Sequence, residues 1–169
     1  NHTFAFIDSV YNKIVPNYFY LMDRNGNLSN GSFCGNDVDT TRKMAHKYFV
    51  DMAVRYVSLY KIDGLRFDLM GILTKELVEE IYNKCKAINP SFIAYGEGWN
   101  MGDVLADEKR ASISNYRKLD NVAMFNDKFR DIITKYLCED NSVLDDVKKV
   151  IAADESYLDS VHSINYVEC

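Results

Sequence analysis

Apolar residues recur along the chain with two different spacings, and the changes of spacing divide it into helices and strands. A repeat every three or four residues predicts a helix, whereas short apolar or alternating runs predict strands. The predicted helices are 41–61, 74–88, 127–137 and 142–153, and the predicted strands are 62–70, 91–99, 121–126 and 163–168. Strands that alternate with helices in this order indicate an α/β fold, in which helical crossovers join parallel strands.

Short polar side chains mark where three of these helices are expected to begin. Such side chains accept hydrogen bonds from the free N–H groups of a first helical turn. Asp39 or Thr40 is the expected cap of the first helix. Asn126 and Ser142 are the expected caps of the last two helices.

The first 38 residues follow neither spacing. Turn dipeptides interrupt them at Asn25-Gly26, Asn30-Gly31 and Cys34-Gly35, and the segment is rich in Tyr and Phe. The aromatic content argues against disorder, and a loop of this length without regular structure is typically functional. We therefore predict an ordered functional loop over residues 1–38.

The composition is that of a globular protein and narrows the choice of partners. Apolar residues make up 47% of the chain and aromatic residues 13%. The net charge of −5 argues against a nucleic-acid partner. No apolar run reaches the ~18–20 residues that a membrane helix needs, so we expect no membrane partner.

The cysteines and histidines are scattered along the chain. No two cysteines form a CxxC pair, and the histidines show no ligand spacing with them, so the sequence predicts no zinc site. Isolated cysteines favour a reducing compartment, which points to a cytoplasmic location. The cysteines are Cys34, Cys85, Cys138 and Cys169, and the histidines are His2, His46 and His162.

The predicted strand 62–70 carries two opposite charges on one face. Side chains alternate along a strand, so Arg66 and Asp68 point one way while Leu65 and Phe67 point the other. Burying two charges is costly unless they pair. Two interpretations follow: an ion pair inside the core, or a catalytic carboxylate that a neighbouring guanidinium keeps ionised.

A second carboxylate lies at the end of the next predicted strand. Glu97 follows Asp68 by one strand–helix unit, and parallel strands would place both side chains at the same edge of a barrel, where such barrels carry catalytic groups. Gly96, Gly98 and Trp99 surround Glu97, an apolar setting that favours the neutral acid. The flanking glycines also indicate close approach by another part of the chain.

Two carboxyl groups with different settings can serve as nucleophile and general acid in retaining glycoside cleavage. Trp99 and the tyrosines of the first segment have apolar ring faces that can stack on sugar rings. The alternative is structural, with Arg66 and Asp68 as a core ion pair and Glu97 as a solvated residue at a strand end.

Several stretches resemble motifs of the α-amylase superfamily, family 13 of the glycoside hydrolases. "DGLRFDLMG" resembles the nucleophile motif, and "YGEGW" resembles the general-acid motif in the form typical of type I pullulanases. The opening "NH" and the closing "INYVEC" resemble the end of the first family motif and the start of the fourth. "FCGND" and "MFNDKFRD" are further pullulanase-like stretches.

The resemblance implies a (β/α)₈ TIM barrel of which this chain forms the central part, about strands 4 to 7. Residues 1–169 would then be a fragment of one catalytic domain, with 1–38 as a long substrate-binding loop after the third strand. By the same resemblance Asp68 is the nucleophile, Glu97 is the acid and base, and Arg66 fixes and ionises Asp68. The further substrate-binding residues that it implies are His2, Trp99, Asn36 and Asp37.

Two departures from the family pattern bear on activity. The family's third carboxylate is expected beyond Cys169, so the chain alone is expected to be inactive. Leu65 stands where the family more often has Phe, a change we expect to be tolerated. Calcium sites occur in the superfamily, but no ligand cluster stands out here, and we predict no cofactor.

The function implied by the resemblance is hydrolysis of α-1,6 branch linkages in pullulan, amylopectin or glycogen-type α-glucans. One alternative is another superfamily hydrolase, isoamylase-like or specific for α-1,4 bonds. A second alternative is an inactive glucan-binding fragment. Members of the family occur both secreted and inside the cell, so the resemblance leaves the compartment open.

Overall fold

The computed structural model of the chain describes residues 3, 9–102, 104–138, 141–153 and 157–168, with the side chain of Asn141 excepted. His2 and Cys169 therefore lie outside the described residues. Within the described part, no helix is both long enough and apolar enough to cross a membrane. No cluster of three or more His, Cys, Asp or Glu side chains among these residues is arranged to hold a metal ion.

The centre of the fold is a four-stranded sheet in which every pairing is parallel. The strands follow one another across the sheet in chain order, so each crossover carries the chain one strand further. This arrangement confirms the predicted α/β class with parallel strands. The strands are shorter than predicted: β1 (Gly64–Phe67), β2 (Ile93–Gly96), β3 (Ala123–Phe125) and β4 (Ser163–Ile164).

Among the described residues, five α-helices accompany the sheet: α1 (Val10–Ile14), α2 (Lys43–Tyr60), α3 (Lys75–Ile88), α4 (Asp127–Leu137) and α5 (Leu144–Ile151). The four longer ones lie where the apolar spacing predicts them. The short helix α1 falls inside the segment predicted to be irregular. Single antiparallel bridges, Tyr20 with Val38 and Met22 with Leu28, fold the rest of that segment back on itself.

The hydrophobic core lies where α2 and α3 pack on the sheet. Each helix buries one apolar stripe, such as Val50 and Val57 of α2 and Leu77 and Ile81 of α3. These residues recur at the helical spacing seen in the sequence. Complete burial of a side chain of this size stabilises the fold by ~1.5–3 kcal/mol. The core therefore fixes how α2 and α3 sit on β1 and β2.

The prediction that Asp39 or Thr40 caps α2 is wrong, because both side chains bond to other groups. The residue before its first turn is Arg42, whose side chain makes no capping bond. Asp39 instead pairs with Nε of Arg42 at 3.0 Å. The Thr40 hydroxyl accepts a hydrogen bond from the Thr74 N–H at 3.0 Å, which fastens this segment to the start of α3.

The other two predicted caps have different outcomes. Asn126 caps α4, as predicted, by accepting a hydrogen bond from the Phe129 N–H at 3.0 Å. Ser142 does not cap α5, because a 3₁₀ turn (Asn141–Val143) precedes that helix and Val143 occupies its cap position.

Candidate active site

Asp68 and Glu97 each follow directly after a strand, at the carboxyl ends of β1 and β2. The strands are parallel, with Phe67 opposite Gly96, so the two acids leave the sheet at the same edge. The Glu97 N–H donates to the Phe67 carbonyl at 3.0 Å and continues the pairing one step past the strands. The sheet thus brings together the two carboxylates that the sequence predicts to be paired.

Arg66 contacts both carboxylates. Its Nη1 donates to Oδ1 of Asp68 at 2.6 Å, and its Nη2 makes a short contact with Oε1 of Glu97. The side chains of Arg66 and Asp68 are 40% and 48% exposed, whereas that of Glu97 is 12% exposed. The predicted pairing on one strand face is confirmed. In the part of the chain that the structure describes, the Arg66–Asp68 pair is exposed and lies outside the core.

The setting of Glu97 differs from the apolar surround expected from its neighbours in sequence. Oε1 contacts the Arg66 guanidinium, and Oε2 accepts a hydrogen bond from the Leu69 N–H at 2.7 Å. Leu69 has a left-handed backbone (φ 46°) and immediately precedes a 3₁₀ turn. Each carboxylate oxygen of Glu97 therefore has a donor, one from the Arg66 guanidinium and one from the backbone.

The glycines that flank Glu97 allow neighbouring strands to come close. A Cβ atom on Gly96 would lie 2.4 Å from the Phe67 carbonyl oxygen, and one on Gly98 would lie 2.2 Å from the Met124 sulfur. No side chain fits at the first position, because the neighbouring atom belongs to the backbone of β1. The close approach predicted from these glycines is confirmed.

Aromatic rings extend the site from β1 to β4. The Arg66 guanidinium lies over the Phe125 ring, 5.8 Å from its centroid. Phe125 in turn contacts the rings of Tyr95 and Tyr166, with centroid separations of 5.6 and 5.0 Å. Phe125 and Tyr166 are not among the site residues predicted from the sequence. Their positions at the ends of β3 and just after β4 are the signal that would have found them.

Trp99 is half-buried at the same edge and is held by a carboxylate. Its Nε1 donates to Oδ2 of Asp127 at 2.6 Å. Asp127 lies two residues after the end of β3, so it is the third acid at the carboxyl ends of these strands. It too was missed, although its place in the sequence parallels those of Asp68 and Glu97.

Asn36 and Asp37 lie inside the long first loop. Asn36 is 3% exposed and exchanges two hydrogen bonds with the backbone of Thr3. Asp37 is 1% exposed, and its carboxylate accepts from the N–H groups of Gly31 and Ser32 at 2.8 and 2.9 Å. These contacts order the loop itself. The remaining predicted contact, His2, lies outside the described residues.

A cavity of about 340 Å³ lies beside β1, between that strand and the helices α2 and α3. Arg66 and Asp68 reach its wall, but the rest of the lining is apolar, including Phe49, Leu65 and Leu77. An apolar lining offers few partners for the hydroxyl groups of a sugar. The polar groups that suit such a ligand lie at the carboxyl ends of β1 and β2, with Asp68 and Glu97.

No protein-family model matches the chain. Individual proteins do match it. Pullulanase of Bacillus subtilis (strain 168) is 37% identical over 133 residues, which cover 79% of this chain and 18% of that protein. Pullulanase A of Streptococcus pneumoniae (strain D39) is 38% identical over 133 residues, covering 78% of this chain and 10% of that protein.

A solved structure agrees with these relatives. The crystal structure of a pullulanase from Anoxybacillus sp. LM18-11, complexed with maltotetraose, superposes with a TM-score of 0.93 and 34% identity. The chain is pullulanase-like in sequence and in structure. The superposition covers 100% of this chain and 26% of that one. The pullulanase-like chain thus spans less than a fifth of the two curated relatives and about a quarter of the solved structure.

Proposed function

We propose that the chain is the central part of the catalytic domain of a retaining glycoside hydrolase. The proposed reaction is cleavage of α-1,6 branch linkages in pullulan, amylopectin or glycogen-type α-glucans. The observation that carries the proposal is the contact of one guanidinium, that of Arg66, with two carboxylates at the ends of adjacent parallel strands. The likeness to pullulanases supports the choice of reaction.

In the proposed mechanism Asp68 attacks the anomeric carbon, and Glu97 donates a proton to the departing glycosidic oxygen. Glu97 then takes a proton from water, which attacks the same carbon and releases Asp68. Retaining enzymes hold the two carboxyl groups ~5–5.5 Å apart, and inverting enzymes hold them ~6.5–9.5 Å apart. Two carboxylates that share one guanidinium fit the closer arrangement. Exposure of Asp68 supports its role as the group that meets the sugar.

The sheet supports the barrel that the sequence motifs imply. Parallel strands in chain order, joined by helical crossovers, are the repeating unit of a (β/α)₈ barrel, and we propose that β1 to β4 are about its strands 4 to 7. The carboxylate that the family resemblance adds to Asp68 and Glu97 is not Asp127 and is proposed to come from beyond Cys169. The 169-residue chain by itself is therefore expected to be inactive.

The proposed glucan contacts are Arg66 and Trp99 at the sheet edge, with His2 and the loop 1–38 beside them. Asn36 and Asp37 are proposed to act on substrate through the shape of this loop, because their hydrogen bonds go to the loop itself. The solved pullulanase complexed with maltotetraose supports an α-glucan oligosaccharide as the ligand class.

Product analysis on pullulan tests the proposed reaction. The full-length protein that contains this chain is incubated with pullulan, and the products are separated by chromatography. Maltotriose is expected, since it results from cleavage of the α-1,6 bonds. Panose would identify a hydrolase specific for α-1,4 bonds. Binding of pullulan without any product would identify a glucan-binding protein.

The stereochemistry of the first product tests the mechanism separately. A covalent intermediate on Asp68 predicts that the anomeric configuration is retained, so the α-anomer should form first. Proton NMR during the first minutes of the reaction distinguishes the anomers before they interconvert. Initial formation of the β-anomer would contradict the nucleophile role of Asp68.

A further inference from the structure

Asp127 receives hydrogen bonds on both carboxylate oxygens from aromatic side chains of other strand ends. Trp99, after β2, donates to Oδ2 at 2.6 Å, and the Tyr166 hydroxyl, after β4, donates to Oδ1 at 2.5 Å. Asp127 itself follows β3. One carboxylate therefore connects the carboxyl ends of three successive strands.

Arg130 completes this group from the next turn of α4. Its Nη1 donates to the Tyr166 hydroxyl at 2.5 Å and lies 3.5 Å from Oδ1 of Asp127. The side chains of Asp127 and Arg130 are only 20% and 27% exposed. Hydrogen bonds between charged and neutral partners are strong under these conditions, so the carboxylate limits how far the two rings can move.

The same group is connected to Arg66, which contacts both carboxylates, through the ring of Phe125. Tyr166 packs on Phe125, and Phe125 lies under the Arg66 guanidinium. Trp99 is two residues from Glu97 in the chain. A displacement of either ring would therefore change the surroundings of the proposed acid and of Arg66.

A helix-capping role alone does not account for this geometry. An Asp in a first helical turn is favoured by the helix dipole without any specific partner, and Asp145 of α5 is such a residue. Asp145 is 86% exposed and pairs only with Lys148 in the interactions described for it. Asp127 differs because its two carboxylate oxygens accept hydrogen bonds from Trp99, which follows β2, and from Tyr166, which follows β4.

We propose that Asp127 is a positioning residue that fixes the Trp99 indole and the Tyr166 phenol as one rigid wall of the glucan site. The inference rests on the proposed function, because it assigns that wall to an α-glucan. Asp127 is not expected to touch the reacting atoms. Its effect on catalysis is expected to act through Trp99, and so mainly on substrate binding.

The test is a double-mutant cycle between D127N and W99F in the full-length protein. An Asn keeps the shape of Asp but carries no charge, and its amide nitrogen cannot accept a hydrogen bond, so at least one of the two aromatic donors loses its charged acceptor. We expect D127N to raise the KM for a branched maltooligosaccharide by about tenfold, the usual scale for one hydrogen bond to a charged group. The value of kcat should change by no more than about threefold, since the direct contacts of Arg66 with Asp68 and Glu97 do not involve Asp127.

Coupling between the two positions separates positioning from general destabilisation. In the W99F background, D127N should raise KM by no more than about twofold, because the indole donor is already gone. The matched control is D145N, which removes a first-turn carboxylate from α5 and should leave KM unchanged. An unchanged KM in D127N, or a tenfold rise that persists in the W99F background, would overturn the proposal.

A second measurement keeps the inference independent of activity. Trp99 is the only tryptophan of the chain, and its emission is obtained by subtracting the spectrum of W99F from that of the wild type. Subtracting the spectrum of the D127N/W99F double variant from that of D127N gives the Trp99 emission in D127N. D127N should shift this Trp99 emission and D145N should not. Absence of glucan hydrolysis by the wild type would refute the proposed function, whereas an unshifted emission in D127N would refute the positioning role.

Y166F provides the variant to use if D127N fails to fold. It removes only the hydroxyl that donates to Asp127 and keeps the ring that packs on Phe125. The Trp99 emission of Y166F should shift relative to that of the wild type. An unchanged emission in a folded Y166F variant would count against a rigid wall shared by the two rings.

Discussion

The backbone N–H of Leu69 donates a hydrogen bond to Oε2 of Glu97 across 2.7 Å. Leu69 directly follows Asp68, so the turn that carries the proposed nucleophile also holds the proposed acid. Leu69 itself has a left-handed φ of 46°. Oε1 of Glu97 contacts Nη2 of Arg66, and Nη1 of Arg66 contacts Asp68. The relative position of the two acids is thus set by one backbone turn and one guanidinium.

The first prediction concerns that guanidinium. In R66K a single ammonium group replaces two nitrogens held in a fixed fork, so it cannot maintain both carboxylate contacts in the same geometry. We expect kcat on pullulan to fall on the order of 10²-fold, the scale for loss of one preorganised donor. Steady-state kinetics of the full-length protein provide the measurement.

The matched control for R66K is R42K. Arg42 pairs with Asp39 through Nε alone, and its side chain is 57% exposed. Its replacement should leave kcat within about twofold. If R66K kept more than about a third of wild-type kcat, the bridging role of Arg66 would be wrong.

The second prediction concerns Asp68. D68N keeps the shape of the side chain but removes the attacking oxygen anion. We expect kcat to fall by several orders of magnitude while the affinity for maltooligosaccharides stays nearly unchanged, because the lost interaction acts in the transition state. Kinetics and calorimetric titration measure the two quantities. A D68N variant with more than about a tenth of wild-type kcat would rule out the nucleophile.

The third prediction separates the acid from the nucleophile. E97Q cannot protonate a glycosidic oxygen, so hydrolysis of natural glucans should collapse. Glycosides with a leaving group that needs no proton should lose far less in the first chemical step. Comparison of the two substrate types in E97Q measures this difference. Equal losses on both would assign Glu97 a structural role.

The sequence was sufficient to predict the residues of the carboxylate pair because short-range rules determine their positions. The period of a strand places Arg66 and Asp68 on one face, and parallel topology brings the end of the next strand beside them. The contact between Arg66 and Glu97 could not be predicted in this way. It depends on how a long side chain on one strand reaches a carboxylate on another.

Other differences between sequence and structure have the same physical origin. Thr40 was expected to cap α2, but its hydroxyl bonds to Thr74, which is distant in the chain. Asp127 was overlooked because its partners, Trp99 and Tyr166, come from different strand ends. Local pattern predicts which element a residue occupies, and tertiary packing decides which groups its side chain meets.

The fourth prediction uses the close packing at Gly71. A Cβ atom there would lie 1.8 Å from the Trp99 carbonyl oxygen and 2.9 Å from its carbonyl carbon, so backbone would have to move. We expect G71A to destabilise the protein by about 3 kcal/mol, the upper end for overpacking, and to lower activity by displacing Trp99. Urea unfolding and pullulan kinetics measure the two effects.

The control for G71A is G26A. Gly26 has a left-handed φ of 80°, but a Cβ atom there would meet nothing within 4 Å. Its replacement should cost only the ~1–2 kcal/mol of a left-handed alanine and should leave activity unchanged. If G71A were no more destabilising than G26A, the close approach of Gly71 to Trp99 would be contradicted.

The fifth prediction concerns stability at alkaline pH. Burial, followed by the hydrogen bond to Asp127, raises the pKa of Tyr166 to about 12, and burial also raises the pKa of Tyr157 to about 12. A tyrosine in the unfolded chain ionises near a pKa of ~10. Between these values the folded state keeps protons that the unfolded state loses. The contribution of these two tyrosines to stability should therefore be constant below pH 10 and fall as the pH rises from 10 to 12.

Y166F isolates the share of this effect that belongs to one residue. Phenylalanine does not ionise, so unfolding no longer releases a proton at that position, and the urea midpoint should fall less steeply with pH above 10 than in the wild type. Urea unfolding at intervals from pH 8 upwards gives both curves. Some decline should remain in Y166F, because Tyr157 still titrates in the same range. Curves of equal slope above pH 10 would show that the Tyr166 hydroxyl is no harder to ionise in the folded protein than in the unfolded chain, contrary to its hydrogen bond with Asp127.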